Sequence, residues 1–131
     1  MSLLSADDDV LFCYTRTEAI EDGVLIDVSE SATEIGFLLP VAITQALWED
    51  INNIPEESGQ DVQGRLWDIL WMGLAHVRRG TQEGILFYRL ILPLGSLTKK
   101  GQNPKALYQV KLVISFEEGK RVITLMKPNE D

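Results

Sequence analysis

The chain has 131 residues, 45% of them hydrophobic and three of them Trp, enough for a real core and within the usual size range of one domain. Its formal net charge of -8 argues against binding nucleic acid through bulk charge. No apolar run approaches the roughly 18 residues that cross a bilayer, and the lone Cys13 allows neither an intramolecular disulfide nor a Cys-based metal site. A soluble, cytoplasmic protein of a reducing compartment is therefore expected, with Cys13 inert in the apolar "VLFCYT".

Residues 1–9 are expected to fray. In "YTRTEAIEDGVL", Thr15 and Glu18 have capping-box spacing, which predicts a short helix ending at Gly23. "VLIDV", 24–28, reads as a strand. Ser31 and Glu34 repeat the capping spacing and Gly36 repeats the stop, which predicts a second short helix. "PVAITQALWEDIN" reads as an extended lead-in after Pro40 and then a helix capped by Thr44, with Trp48 docked into the core. "IPEESGQD", 54–61, is the clearest internal loop.

Asp61 is placed to cap the longest helix, about 62–79, with Gly80 as its stop. Val62, Leu66, Ile69, Leu70, Gly73 and Val77 form one stripe, which Leu74, Trp67 and Trp71 widen. From Gly84 the period becomes that of strands: "ILFYRLIL" (85–92), "KALYQVKLVISF" (105–116) and "KRVITLMK" (120–127). "EEGK" joins the last two as a tight hairpin with Gly119 at positive φ. In the middle strand Tyr108, Val110, Leu112, Ile114 and Phe116 share one face; Lys105, Gln109, Lys111 and Ser115 share a wetter one. Residues 128–131 are expected to fray. The expected architecture is a single α+β domain over 1–131, an antiparallel sheet of three or four strands, mainly C-terminal, packed against one long helix and several short N-terminal helices.

Charge is distributed unevenly along the chain. Residues 1–66 hold fourteen acids and two bases, a net of -12; residues 67–131 hold ten bases and six acids, a net of +4. Asymmetry of this kind points to an interaction surface, although charge runs are most often solvated faces. The stretch 15–37 carries six acids against Arg16 alone. Glu18 and Glu34 have capping roles in this reading; Glu21, Asp22 and Glu30 fall on polar surface; Asp27 faces away from Val24, Ile26 and Val28 and is the acid to watch.

Constellations that carry chemistry are few. His76 is the only histidine and reads as a surface or edge residue; with one Cys besides, zinc sites are nearly excluded. No phosphate-binding Gly loop, nucleophile elbow or H-E-x-x-H pair occurs, so no metal and no cofactor are expected. An enzyme or ligand binder would rest on Asp27 with Arg16 and Tyr14 beside the first strand. A protein partner would meet Glu21, Asp22, Glu30 and Glu34, or exposed parts of Trp67 and Trp71, whose alternative reading is core packing. Lys99, Lys100 and Lys105 would make phosphate contacts without base readout, or simply solvate the sheet.

The segment "YTRTEAIEDGVLIDVSESATEIGFLLPVAITQALWEDI", with "GRLWDILWM" and "VITLMKPNED", resembles an uncharacterised bacterial protein family associated with plasmids, phages and other mobile or accessory regions. The likeness covers nearly the whole chain and is most specific over 14–28 and 64–72. It departs at "FEEGKR", where the family often has a Gly/Pro/Asp-rich turn. What the resemblance implies is a shared fold, with no activity to transfer. The reading that follows is a non-enzymatic accessory protein that binds a macromolecular partner.

Overall fold

A computed structural model describes residues 14–54, 61–80, 84–93 and 105–130. In chain order the elements are α1 (Arg16–Glu21), β1 (Leu25–Asp27), α2 (Ser29–Ile35), β2 (Val41–Thr44), α3 (Gln45–Asn52), α4 (Val62–Arg78), β3 (Ile85–Pro93), β4 (Lys105–Glu117) and β5 (Lys120–Met126). The class is α+β. The sheet, however, is five-stranded and mixed, in the order β1-β2-β5-β4-β3, with β2 and β5 parallel and every other pair antiparallel. The expected three- or four-stranded antiparallel sheet is corrected on both counts.

The physical reason lies in Val41–Thr44. Val41, Ala42 and Ile43 are all buried, as are Val122–Met126, so both segments bury both faces of the strand. Runs apolar on every position suit central, parallel-paired strands. Pro40 does not oppose this, because proline is tolerated at a strand's start; its carbonyl accepts from the Ile123 amide.

Local chemistry explains most helix ends. Thr15 and Glu18 form the full capping box of α1. Past its end Gly23 has φ of 81°, with the Val24 amide bonded to the Ala19 carbonyl. That conformation suits glycine. The start of α2 differs from expectation: Ser31 and Glu34 lie inside the helix, and the Ser29 amide is instead bound by the Asp27 carboxylate at 3.0 Å. Two residues earlier on the chain, an aspartate reaches the first free amide more directly than Ser31 could. Thr44 and Asp61 cap α3 and α4 through the Leu47 and Gly64 amides.

Helices α2, α3 and α4 pack on one face of the sheet around Ile43, Leu47, Ile51, Ile69, Leu70, Leu112 and Leu125, all essentially without exposure. Arg65 interrupts the apolar side of α4 and is nevertheless buried, its guanidinium donating to the Asp50 and Asn53 carbonyls at the end of α3. Carbonyls left over at a helix end are satisfied in this way. Trp48 and Trp67 are partly buried against the core, whereas Trp71 is 51% exposed. His76 stacks on Tyr88 with ring centroids 5.4 Å apart, so it is a packed edge residue. Among the described residues no helix is long and apolar enough to cross a membrane.

Candidate functional site

The opposite face of the sheet is dressed differently. Strand register lays two rows of side chains across it: Asp27, Ala42, Thr124, Val113 and Ile85 in one, and Leu25, Thr44, Met126, Lys111 and Phe87 in the other. Among the described elements only α1 covers this face. Thr15, Arg16 and Ala19 look down from it onto a cleft of about 820 Å³ whose floor includes Val113, Thr124 and Met126 and whose rim includes Tyr14, Val24 and Ile85.

Arg16 is the pivot of the attachment. It is 8% exposed, and its guanidinium donates to Thr124 Oγ1 at 2.7 Å and to the Ile123 carbonyl at 2.5 Å. Glu117 lies 3.6 Å away as its ion-pair partner. Burial lowers the Arg16 pKa, and Glu117, Asp27 and Glu118 pull it back up. A guanidinium remains charged throughout the ordinary pH range. A second attachment comes from the β4–β5 turn, where Glu118 takes φ of 51° beside Gly119 at 81°. Both central residues at positive φ fit a type I′ hairpin, although glutamate is an unusual occupant. The Glu118 carboxylate accepts from the Thr17 amide at 3.0 Å and from Thr17 Oγ1 at 2.9 Å, and these donors hold its pKa below the usual range.

At the far end of the cleft the chain's tail is tied down. Glu130 accepts from Thr44 Oγ1 and from the Lys127 amide, both at 2.7 Å, while Lys111 Nζ donates to the Glu130 carbonyl at 2.8 Å. Residues 128–130, expected to fray, thus build one wall. Ser115 donates to Glu117 at 2.8 Å. Tyr14 donates to Asp22 at 2.6 Å, which raises its pKa from 10.0 to about 12.

The charged groups of the cleft therefore already have partners. Arg16 faces Glu117, and Lys111 faces the segment that carries Glu130. What remains for an occupant is neutral: the apolar surface of Val24, Leu25, Ile85, Val113 and Met126, with Gln45 and threonine hydroxyls between. Such a lining suits recognition by shape and apolar contact.

The residues singled out in the sequence fall in several places. Tyr14 and Arg16 line the cleft. Asp27 lines a separate hollow of about 140 Å³ with Arg16, Ser29, Glu117, Glu118 and Lys120, and Tyr14 does not reach it. Arg16 stands between the two hollows, so the three residues do not converge in one pocket. Glu21 and Asp22 at the end of α1, and Glu30 and Glu34 on α2, are exposed along the β1 side of the sheet. Trp67 and Trp71 belong to α4, on the packed side. Lys105 opens β4, its backbone opposite Pro93; Lys99, Lys100 and Cys13 lie outside the described residues. Among the described residues no three His, Cys, Asp or Glu side chains gather to hold a metal ion.

Thr124, Glu117, Glu118 and Glu130 were not singled out from the sequence, and Thr44 only as a helix cap. Strand alternation placed Lys111 and Ser115 on a wetter face, and the same parity leads to Glu117; Glu130 lacked any such signal.

A family model described as a family of unknown function (DUF6573) matches residues 1–131, the whole chain. The chain belongs to this family. No curated protein matches it, and no solved structure does. For this family member, the geometry of the cleft carries the functional argument.

Proposed function

We propose that the chain is a non-enzymatic binding module, a cytoplasmic accessory protein folded as one domain, whose contact surface is the cleft side of the sheet. The link to mobile genetic regions rests on the sequence resemblance. One observation carries the reading: a sheet packed by three helices on one face leaves half-exposed apolar side chains on the other, Tyr14 at 52%, Phe87 at 51%, Val24 at 47% and Ile85 at 45%. Contiguous apolar surface of this kind marks sites of association. The acids Glu21 and Asp22, exposed on the helix that walls the cleft, supply the charged rim on which electrostatic steering acts.

Tyr14, Arg16 and Asp27, the candidates for catalysis, each have a structural hydrogen bond, to Asp22, to Thr124 and to the Ser29 amide. This favours binding over chemistry. A photo-crosslinking residue at Phe87, tested in lysate of the native host, is expected to give a discrete adduct, with the same residue at Gln63 on the exposed side of α4 giving none. Identical patterns from the two positions would end the reading.

A further inference from the structure

We infer that the occupant of the open face is a second copy of this chain, packed face to face; this deepens the binding-module reading and rests on it. The argument begins with what α1 leaves uncovered. It covers the β1 side and the hairpin end of the face, through Arg16 and Ala19, and leaves Ile85 and Phe87 of β3 half exposed.

A two-fold axis along β5, the central strand, supplies the missing cover. Two strands lie on each side of β5 in the order β1-β2-β5-β4-β3, so rotation about that line carries the α1 side of one copy over the β3 side of the other. Contacts across such an axis are isologous: whatever α1 gives to the partner's β3, its own β3 receives.

Charge is complementary under the same operation. Glu18, Glu21 and Asp22 of α1 are exposed, and the one base of that stretch, Arg16, is turned inward and spent on Glu117 and Thr124. On the β3 side Arg89 is exposed on the cleft face, two residues from Phe87, and among the described residues no carboxylate pairs with it. The rotation brings the acidic helix to Arg89 while Tyr14 and Val24, half exposed beside that helix, meet Ile85 and Phe87. An apolar centre with a charged rim is the usual build of a specific interface.

Sedimentation of the purified full chain is expected to show a dimer. Phe87→Glu, which puts a carboxylate into the apolar centre, is expected to weaken it at least about tenfold, as does loss of a buried aromatic anchor elsewhere. Arg89→Glu should weaken it too, and combining Arg89→Glu with Glu21→Lys should restore most of the loss. Circular dichroism checks that each variant is folded, and Arg89→Glu, at an exposed site, guards against misfolding of the Phe87 variant. A chain that stays monomeric up to about 1 mM, where even weak dimers form, overturns the inference. So does a dimer that Phe87→Glu and Arg89→Glu leave unchanged. A monomer that still crosslinks a different protein at Phe87 removes the second copy and keeps the binding module; a monomer with no adduct removes both.

Discussion

Arg16 and Glu118 show how much of this molecule hangs on single side chains. Both fasten the six-residue α1 to strands more than 100 residues away in sequence, one through Thr124 and the Ile123 carbonyl, the other through Thr17. A helix of this length has no stability of its own, so its place over the cleft is set by these contacts. The Glu118 contact has a pH dependence of known sign. Its pKa is lowered in the folded chain, so its contribution is complete above the ordinary glutamate value and is lost as pH falls through the lowered one. The Thr17 amide resonance is expected to titrate with its midpoint below that of a free glutamate, and Glu118→Gln should abolish that titration. A midpoint at the ordinary value would mean that the contact does not form. The sequence marked Arg16 only as a possible ligand-binding group and left Glu118 unmarked, so neither anchoring role could be picked out. Arg16 sits in a run of acids that reads as solvated surface, and Glu118 sits in a turn whose visible signal was Gly119 alone.

At the scale of elements, α4 and β3 meet through a fitted pair. Tyr88 Oη donates to the Ile69 carbonyl at 2.9 Å, and a Cβ added to Gly73 would lie 2.9 Å from the same hydroxyl and 3.3 Å from Cζ. Burial raises the Tyr88 pKa, so the hydroxyl stays a neutral donor. Alanine normally improves a helix over glycine by about 0.5–1 kcal/mol, but here the clash outweighs that gain. Gly73→Ala is expected to destabilise by about 1–3 kcal/mol, as overpacking does, and Tyr88→Phe by about 1 kcal/mol. In the double variant the removed oxygen makes room for the methyl. The two losses should therefore fall short of additive by a measurable coupling in urea unfolding; strict additivity would refute the fitted contact. The helix itself was legible, because its caps and 3.6-residue stripe are local signals: Asp61 and Leu66, Ile69, Leu70 and Gly73 are where periodicity put them. Strand β2 was not, since four residues after a proline read as a lead-in, and nothing local announces a partner 80 residues on.

For the whole molecule, the mixed sheet changes which parts should be most protected. An antiparallel C-terminal meander would leave Val41–Thr44 at the periphery. The observed order seats it between β1 and β5, with Val41, Ala42 and Ile43 buried. Amide exchange at Ala42 and Ile43 is therefore expected to be as slow as at Ile123 and Leu125, near the global unfolding limit; fast exchange there would favour the peripheral placement. The fold class and the meander β3-β4-β5 were legible because hairpins are joined by short-range signals such as "EEGK". The cleft was only half legible. Alternation along β4 separates its two faces, but that α1 crosses to the second face, and that the tail returns through Glu130, depends on contacts spanning most of the chain.

The central position of β5 bears on how the protein is made. Synthesis delivers β1 and β2 early and the β3–β4 hairpin late, and these two pieces share no strand pairing until Lys120–Met126 emerges to join them. Pairing across so large a separation is slow. On the ribosome both flanks accordingly wait with open edges for the final strand, and a stop codon or proteolytic cut ahead of Lys120 deletes the seam rather than a border.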